Sequence, residues 1–545
     1  MKKYTVGLDF GTGSMRALLV DLASGKELGY KECKYPHGVM ESTLPDGTRL
    51  GPEWSLQHPE DYLFALTETV PNLLREHGVL REEVVGLGID FTSSTVIPLD
   101  ATLTPLCLMK EYSGNPHAYA KLWKHHSAQY CAELITDLAK KTEQAWLVRN
   151  GGRISPELAF PKLLQVALEA PELFDRVEYF MDAGDYMVSL LTGEVSRSTC
   201  IAGYKYCWSK EEGFPDEGFL NGLAPDFGSK VLKKLRGKFF APGASAGTLT
   251  KEFAEKLGLS EKTAVSAAVI DAHAAIPAIG QIGENQMLMI LGTSGCHHLL
   301  SKSYRQVEGV FGIVEDGVIE GFYCYEAGQS GMGDHFEWLL RNCVGKDVED
   351  RACAKGMSVL NYLAQLASEK RAGETGLLCL DWFNGNRSVL NDCDLSGVIL
   401  GLTLSTQPQD LYRALVEAVA FGTRKIIESF ENSGVAVDAL FATGTMSKSS
   451  FVMQTFADVT GKRIRIVASQ NGPALGAAIF AASASGTFSL AEATKRLGKL
   501  QENSYDPDPK NSALYDKLYG EYCLLHDYFG REENPVLKTL KSLRK

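Results

Sequence analysis

Hydrophobic positions along the first ninety residues alternate between short apolar runs and one stretch with helical spacing. The short runs are rich in β-branched residues and are separated by turn residues such as Ser24-Gly25-Lys26, which predicts strands. Residues 58–77 carry apolar side chains every three or four positions, which predicts an amphipathic helix. The predicted strands span residues 6–10, 17–21, 27–35 and 84–91.

The same order of patterns returns in the second half of the chain. Two apolar runs, 286–292 and 296–301, flank a glycine-containing turn, and a long helix is predicted over 408–434. Residues 438–443 then have the composition of a buried strand. We therefore predict an α/β protein made of a duplicated unit, each copy a mixed sheet flanked by helices, with a ligand cleft between the copies.

The length of the chain predicts more than one domain. A single hydrophobic core rarely organises 545 residues, so we expect two domains. The 45% hydrophobic and 22% charged residues are typical of a globular protein. We expect the boundary between Gly243 and Thr263, which divides the chain into residues 1–258 and 259–545.

Charge and composition exclude several classes of partner. A formal net charge of −12 argues against a broad nucleic-acid surface, which needs clustered Lys and Arg. No apolar run approaches the ~20 residues that span a bilayer, so we expect no membrane association. Twelve cysteines are scattered without a CxxC pair, and the chain start resembles a strand more than a leader peptide. These features predict a cytoplasmic protein.

Two glycine-threonine turns stand about half a chain apart, Gly11-Thr12-Gly13-Ser14 and Gly292-Thr293-Ser294-Gly295. Each lies between two predicted strands and offers backbone N–H groups and hydroxyls to an anion, so the pair could clamp a polyphosphate such as ATP. Asp9 precedes the first turn at a strand end, where its carboxylate could hold Mg²⁺ through water. The predicted ATP-binding residues in and beside the turns are Gly11, Thr12, Ser14, Arg16, Gly292, Thr293 and Ser294.

Asp271 is the candidate catalytic residue. It ends the apolar run 264–270, so its carboxylate stands where a buried strand opens into a loop. In a kinase, a carboxylate at such a position accepts the proton of the substrate hydroxyl. A strand-end Asp that caps the following helix is the alternative, and the two phosphate turns favour the catalytic interpretation.

Gly444 is a candidate for the adenosine site. It stands between a predicted strand and a helix, where a missing Cβ would let a flat base or a ribose approach the backbone. A plain strand-to-helix turn explains this glycine equally well in isolation. Further on, the glycine- and alanine-rich stretch 474–484 predicts a structural helix whose small residues permit close packing.

Several other nucleotide and metal motifs fail on inspection. The sequence has no G-x-x-x-x-G-K-[ST] motif, which excludes a P-loop enzyme. The third glycine position of a dinucleotide fingerprint is occupied by Arg16, which disfavours a nicotinamide oxidoreductase. The pairs His125-His126 and His297-His298 lack the spacing and the carboxylates of a zinc site, so we expect no metal there.

Taken together, these segments resemble the FGGY carbohydrate kinases. The resemblance runs over essentially the whole chain and rests on GLDFGTGSMRALLVD, the Asp271-Ala-His segment, LGTSG and the unit around Gly444. AGYKYCW, YEAGQSGMGDHFEWL and LDWFNGNRSV resemble the members that act on L-ribulose. The resemblance implies an actin-like, ribonuclease-H-like fold in both domains, with the active-site cleft between them.

The resemblance also implies an activity and a set of substrate contacts. The expected reaction transfers the ATP γ-phosphate to the terminal hydroxyl of L-ribulose, with Mg²⁺, in arabinose catabolism. Asp271 matches the catalytic base of the family and also contacts the sugar. Ser93, Lys205 and Glu326 match positions that line the sugar pocket, and their side chains can hydrogen-bond sugar oxygens. The alternative for the latter two is a solvated Lys205 paired with Glu326 at the surface.

In this scheme the N-terminal domain holds the sugar pocket and the first phosphate turn. The C-terminal domain holds Asp271, the second turn and the adenosine site. Thr445 departs from the family pattern, because many members carry a second glycine after Gly444, and its side chain narrows the space beside the base.

A kinase for D-ribulose, xylulose or a polyol is the nearest alternative function, and a non-catalytic actin-like sensor is the next. The expected partners are the sugar and ATP, and a homodimer is compatible with the sequence.

Overall fold

The computed structural model describes residues 2–531 and 533–543. The strands in chain order are β1 (Tyr4–Phe10), β2 (Ser14–Asp21), β3 (Lys26–Lys34), β4 (Leu56–Gln57), β5 (Val84–Phe91), β6 (Val96–Leu99), β7 (Ala120–Lys121), β8 (Tyr179–Asp182), β9 (Ser196–Ser198), β10 (Lys238–Phe240), β11 (Ser245–Thr248), β12 (Ala264–Ser266), β13 (Val269–Ile270), β14 (Gln286–Leu291), β15 (Gly295–Ser301), β16 (Ile313–Glu315), β17 (Tyr323–Gln329), β18 (Leu378–Leu380), β19 (Val398–Leu400), β20 (Ala439–Thr443), β21 (Ile464–Val467) and β22 (Leu500–Tyr505).

The helices connect and cover these strands. In chain order they are α1 (Glu60–Glu76), α2 (Gln129–Lys141), α3 (Ala145–Arg149), α4 (Ala159–Glu169), α5 (Pro171–Arg176), α6 (Ala183–Thr192), α7 (Thr199–Lys205), α8 (Glu217–Asn221), α9 (Phe227–Lys234), α10 (Lys251–Leu257), α11 (Asp271–Ala274), α12 (Gly333–Cys343), α13 (Lys346–Ala354), α14 (Val359–Ser368), α15 (Pro408–Asn432), α16 (Ser450–Thr460), α17 (Gly472–Ala484), α18 (Leu490–Leu497), α19 (Pro509–Gly530) and α20 (Val536–Ser542). In the part of the chain that the structure describes, no helix has the length and apolar character needed to cross a membrane.

The chain folds into two compact units. The first runs to Ile282 and also takes in Gly312–Cys324 and Asn471–Lys499. The second contains Gly283–Phe311, Tyr325–Gln470 and the chain from Leu500 onward. These units are not continuous in sequence, because α17 and α18 return to the first unit late in the chain. The division at 258/259 stays a prediction about the domains.

The first unit is organised around a mixed sheet with the strand order β11-β12-β5-β1-β2-β3. β1 runs antiparallel to β2 and parallel to β5, and β12 and β13 each run parallel to β5. Every residue of β1 is buried, as expected for a central strand that is covered on both faces. The carboxyl ends of β1, β5 and β13 therefore meet at one edge of the sheet.

The second unit repeats this topology. Its main sheet runs β17-β15-β14-β20-β21-β22, with β14 antiparallel to β15 and parallel to β20. β20 is parallel to β21, and β21 is antiparallel to β22. β14 and β15 thus correspond to β1 and β2, and each pair encloses one of the glycine-threonine turns. The predicted duplication and the predicted strands and helices of both halves are confirmed.

A helix made of small residues packs directly on the sheet of the first unit. A Cβ added at Gly88 in β5 would lie 1.8 Å from the backbone oxygen of Ala477 in α17, and one at Gly7 in β1 would lie 1.8 Å from that of Ala474. Only hydrogen atoms fit there, so the glycines let the helix backbone touch the strands. This contact confirms the structural role predicted for the helix and fixes the two strands that carry the candidate site.

Candidate active site

Three carboxylates meet at the carboxyl edge of the sheet in the first unit. Asp9 lies in β1 directly opposite Asp90 in β5, in the parallel register of these strands. Ile270, the last residue of β13, lies opposite Phe91, so Asp271 begins at the point where β5 ends. The sheet thereby brings together two predicted site residues, Asp9 and Asp271, with a third carboxylate.

The electrostatics of this carboxylate cluster are unusual. Asp90 is fully buried, and within the described part of the chain neither of its oxygens receives a hydrogen bond. Burial raises the pKa of Asp90 well above its usual value, and the negative charges of Asp9 and Asp271 raise it further. Burial also raises the pKa of Asp9, while Arg16 acts in the opposite direction. The cluster therefore favours the binding of a cation or a proton.

Asp271 is the most accessible of the three carboxylates. It is half-buried and is the first residue of α11, and its Oδ1 accepts a hydrogen bond of 2.7 Å from the Ala272 backbone N–H. Ile270 occupies the N-cap position of this short helix, so a capping role does not account for Asp271. Its carboxylate is oriented by the backbone at the edge of the sheet.

The first glycine-threonine turn is braced by two neighbouring side chains. Its ends are closed by a hydrogen bond from the Gly11 N–H to the Ser14 carbonyl, at 2.9 Å. Gln57 donates to the Thr12 carbonyl at 2.7 Å, and the Trp123 indole donates to the Thr12 hydroxyl at 3.1 Å. The Thr12 hydroxyl oxygen accepts the hydrogen bond from Trp123, so its proton can be donated to an anion.

Ser14 and Arg16 face one carboxylate on the neighbouring strand. The Ser14 hydroxyl donates to Glu32 Oε1 at 2.6 Å, and the Arg16 Nε lies 3.5 Å from the same oxygen. Arg16 Nη1 also contacts Asp9 Oδ2 at 3.2 Å. Arg16 therefore joins the turn to the carboxylate cluster, while the Ser14 proton is already engaged.

The second turn rests on the start of α12. The backbone N–H groups of Met332 and Gly333 donate to the carbonyls of Thr293 and Gly292, at 2.8 and 3.0 Å. A Cβ at Gly333 would lie 2.9 Å from the Gly292 carbonyl, so this position favours glycine. These bonds use the carbonyls of the turn, in which Thr293 is exposed and Ser294 is half-buried.

The backbone at position 444 requires glycine. It has φ of +98°, and a Cβ there would lie 2.5 Å from the Leu291 carbonyl oxygen at the end of β14. Thr445 follows as the first residue of a 3₁₀ turn, Thr445–Lys448. The close approach of β14 and β20 thus requires glycine by itself, and the adenosine contact stays a prediction.

A cavity of about 540 Å³ opens beside α12 in the second unit. The rings of Trp338 and Phe383 form one wall, edge to face at 5.0 Å between centroids. Asn384 donates to Asp334 at 3.2 Å on another side, and the Asp334 N–H lies 3.4 Å from the Thr293 carbonyl. The cavity therefore adjoins the second turn, and none of its lining residues was identified from the sequence.

Two of the predicted sugar contacts lie in the first unit. Ser93 is half-buried in the turn that follows β5, beside Ser94, whose φ is +51°. Lys205 is the last residue of α7 and is only 9% exposed. The buried Lys162 on α4 donates from Nζ to the Ser94 carbonyl at 2.6 Å. Sequence patterns did not identify Lys162, because a lysine within an apolar helix gives no sign of its burial.

Glu326 is the predicted sugar contact in the second unit. It lies in β17, is 4% exposed and pairs with Arg387, whose Nη2 is 3.2 Å from its Oε1. The Arg387 guanidinium also covers the Phe311 ring at 4.3 Å. A solvated surface pair between Lys205 and Glu326 is therefore wrong, because both side chains are buried. Arg387 is the half-buried partner of a predicted sugar contact, and the sequence patterns did not single it out.

Asp90 was missed as well, although the sequence contains a signal for it. Gly88-Ile89-Asp90-Phe91 repeats the pattern Gly7-Leu8-Asp9-Phe10, and the two stretches lie side by side in register. A comparison of the two apolar strands with each other would have revealed the second carboxylate.

A histidine cluster elsewhere in the first unit has the composition of a metal site. His37, His58 and Asp61 place ligand atoms within 4.8 Å of one another. The two imidazole rings are stacked, with centroids 4.2 Å apart and planes 20° from parallel, so one ion cannot lie in both ring planes. His37 Nδ1 lies 2.7 Å from Asp61 Oδ1, and we assign the cluster as a hydrogen-bonded pair of His37 and Asp61 covered by His58.

The comparisons with known proteins identify the family. The model for the N-terminal domain of the FGGY family of carbohydrate kinases matches residues 4–278, and the model for its C-terminal domain matches residues 287–485. The chain therefore belongs to the FGGY family of carbohydrate kinases. It is 47% identical to a ribulokinase of Geobacillus thermodenitrificans, over 99% of this chain and 97% of that protein. It is 46% identical to a ribulokinase of Halalkalibacterium halodurans, over 99% and 98%.

Solved structures of more distant relatives share the fold. A gluconate kinase from Lactobacillus acidophilus superposes with a TM-score of 0.80 at 20% identity, covering 98% of this chain and 99% of its own. A xylulose kinase from Rhodospirillum rubrum gives 0.77 at 22% identity, covering 96% and 98%. The predicted fold class, two actin-like domains of mixed sheets flanked by helices, is confirmed.

Proposed function

We propose that this protein transfers the γ-phosphate of ATP to the terminal hydroxyl of L-ribulose, giving L-ribulose 5-phosphate and ADP. The membership in a carbohydrate kinase family supports the reaction class. Relatives named ribulokinase, similar over nearly the whole chain, support the sugar. The observation that carries the chemistry is the accessible Asp271 carboxylate at the edge of the sheet that also bears the first phosphate turn.

In the proposed reaction Asp271 is the general base. It takes the proton from the sugar hydroxyl as that oxygen forms a bond to the γ-phosphorus, and the bond from phosphorus to the β–γ bridging oxygen breaks to release ADP. The hydrogen bond from the Ala272 N–H orients the carboxylate that receives the proton. Its half-buried position suits a group that must reach substrate and then release a proton to water.

The two turns are the proposed phosphate sites. Thr12 is held by Gln57 and Trp123 with its hydroxyl proton unused, which suits a donor to a phosphate oxygen. Thr293 and Ser294 would serve the same purpose in the second unit. Because Ser14 donates to Glu32, we expect its contribution to ATP binding to be smaller than that of Thr12.

Asp9 is the proposed holder of Mg²⁺, through water. The donor set fits this ion, because Mg²⁺ prefers carboxylate oxygens and the neighbouring Asp90 adds buried oxygens that receive no hydrogen bond from the described residues. When bound, Mg²⁺ would neutralise charge on the β- and γ-phosphates. Asp9 is 6% exposed, and its contact with Arg16 keeps the carboxylate oriented.

Ser93, Lys205 and Glu326 are the proposed sugar contacts besides Asp271. Their hydroxyl, ammonium and carboxylate groups can hydrogen-bond the hydroxyls of a ketopentose, and a wrong sugar would leave buried polar groups without partners. We place the adenosine in the second unit, near Gly444 and the cavity beside α12, whose Trp338 and Phe383 rings offer faces to a base.

The assignment is tested by measuring ADP release with Mg-ATP against L-ribulose, D-ribulose, D-xylulose, L-xylulose, ribitol and glycerol. We expect the highest kcat/KM with L-ribulose. A higher value with another sugar would overturn the substrate and leave the kinase in place. Gel filtration with light scattering tests whether the protein is a homodimer.

Fractionation of the producing cells tests the cytoplasmic location. The twelve scattered cysteines support that location.

A further inference from the structure

Lys162 is a buried lysine that makes two of its three hydrogen bonds to one residue of a loop. It is fully buried on α4, and its Nζ donates to the Ser94 carbonyl at 2.6 Å, to the Ser94 hydroxyl at 3.3 Å and to the Glu157 carbonyl at 3.1 Å. An ammonium group has three protons, and here two of them reach the same residue. Ser94 directly follows Ser93, one of the proposed sugar contacts.

The loop that Lys162 holds has a strained backbone. Ser94 is almost fully buried and has φ of +51°, a left-handed conformation that favours glycine. A residue in this conformation persists only where its surroundings hold it. The hydroxyls of Thr92 and Thr95, 3.2 Å apart, brace the same loop across its base. The direction of the Ser93 side chain therefore depends on the clamp at Ser94.

Asp182 packs beside the same loop. It ends β8, is fully buried and lies opposite Val96, the residue that follows the loop, and the Ala183 N–H donates to the Thr95 carbonyl at 2.8 Å. Burial raises the pKa of Asp182 well above its usual value, and the charge of Lys162 acts against that rise. Asp182 is thus a second buried polar group beside the loop that Lys162 clamps.

The energetics argue against a purely structural lysine. Burial lowers the pKa of Lys162 to about 7, which reflects the cost of holding an ammonium away from water. Well-packed apolar residues at buried ionic positions are often neutral or stabilising. Methionine would fill this space equally well. We therefore infer that the ammonium group is present to hold the loop through its hydrogen bonds to Ser94.

We propose that Lys162 is a positioning residue for the sugar pocket, which clamps the 92–95 loop through the Ser94 carbonyl, with Asp182 packed beside the same loop. The inference rests on the proposed function, because it takes Ser93 as a sugar contact. It adds a layer behind Ser93 that sets sugar affinity without touching the sugar. We expect Lys162 to have no effect on ATP affinity.

The test is Lys162→Met, which keeps most of the length of the side chain and removes the charge. We expect the Kd for L-ribulose, measured by calorimetry without nucleotide, to rise about tenfold, the scale of one charged hydrogen bond. The KM for ATP should stay within about twofold. The melting temperature should fall, because the buried acceptors at Ser94 and Glu157 lose their donor, and a cooperative thermal transition shows that the variant is folded. An unchanged sugar Kd in a folded variant would overturn the inference.

Three further variants separate positioning from folding. Asp182→Asn is nearly isosteric, and we expect it to raise the Kd for L-ribulose as Lys162→Met does. If Lys162→Met does not fold, the Kd of Asp182→Asn tests the inference, and an unchanged value overturns it. Ser94→Gly keeps the carbonyl that Lys162 binds and relaxes the backbone, so sugar affinity should stay within about threefold of wild type. The exposed Lys256→Met on α10 is the control, expected to change nothing.

The outcome for wild type distinguishes this inference from the proposed function. If the wild-type protein binds another sugar of the panel more tightly than L-ribulose, the substrate assignment fails. The ratio of the Kd values of Lys162→Met and wild type for that sugar then decides the inference: a rise supports it, and equal values overturn it.

Discussion

At the scale of single residues, the candidate site depends on polar groups that follow the ends of buried strands. Asp271 follows β13 and has one carboxylate oxygen held by the backbone, and Thr12 follows β1 and has its oxygen occupied and its proton available. Both residues were identified from the sequence, because each stands at a turn beside an apolar run. Asp90 was not, since within one strand it is a single carboxylate among apolar residues.

Replacement of Asp271 tests the proposed base. We expect Asp271→Asn to retain L-ribulose binding, because the amide keeps the shape and the hydrogen bond from Ala272, and to lose about 10²–10⁴-fold in kcat. Single-turnover kinetics and calorimetry measure the two quantities separately. Asp137→Asn, at an exposed position of α2, is the matched control. Near-normal turnover of Asp271→Asn would assign the base to another group.

The pair of Glu326 and Arg387 gives a second prediction at this scale. The Glu326 side chain is 5% exposed, so Arg387→Met removes the cation beside a buried carboxylate and should cost about 3 kcal/mol of unfolding free energy. We expect Glu326→Gln in the same protein to restore part of that stability without restoring sugar affinity. Melting temperatures and sugar Kd values of the four proteins of the cycle provide the measurement. Additive effects on stability would contradict a direct pair.

At the scale of elements, backbone contacts decide where the strands and helices lie. The alanine- and glycine-rich composition of α17 predicted close packing, and the structure shows its backbone against glycines of β1 and β5. The sequence did not indicate which strands would receive this helix, because α17 begins 381 residues after the end of β5 and 462 after the end of β1. The same holds for Gly444, whose neighbour Leu291 is distant in the chain.

This packing predicts unequal effects of one substitution at two glycines. Gly88→Ala would push a methyl group into the Ala477 carbonyl and should destabilise the protein by at least about 3 kcal/mol. Gly13→Ala should change stability by less than about 1 kcal/mol, because nothing lies within 4 Å of its Cβ. Thermal unfolding compares them. Equal stability of the two variants would show that α17 does not rest on β5.

At the scale of the whole molecule, burial of ionisable groups shapes the response to acid. Burial lowers the pKa of His297, His335 and His526 to about 4 each. Between pH 6.5 and 4 these histidines bind protons in the unfolded chain but not in the folded protein. Acidification over this range therefore favours unfolding. Asp185 and Asp381, with pKa values raised by burial to about 7 and about 6, act in the opposite direction.

The contribution of one histidine is isolated by a variant. We expect His335→Asn to lose less stability than wild type on acidification from pH 6.5 to 4.5, by up to about 1.4 kcal/mol per pH unit. Melting temperatures at pH 4.5, 5.5 and 6.5 test this, with the exposed His77→Asn as control. Parallel curves for wild type and His335→Asn would contradict it.

Local patterns were sufficient for the secondary structure of both halves, for the two turns and for Asp9 and Asp271, because period, turn chemistry and strand ends depend on neighbours in sequence. The pairing of Asp9 with Asp90, the clamp of Lys162 on Ser94 and the covering of Glu326 by Arg387 arise only from tertiary structure. These contacts join residues separated by tens of positions, and burial, which raises or lowers their pKa values, is a property of the packed sheet and not of any segment.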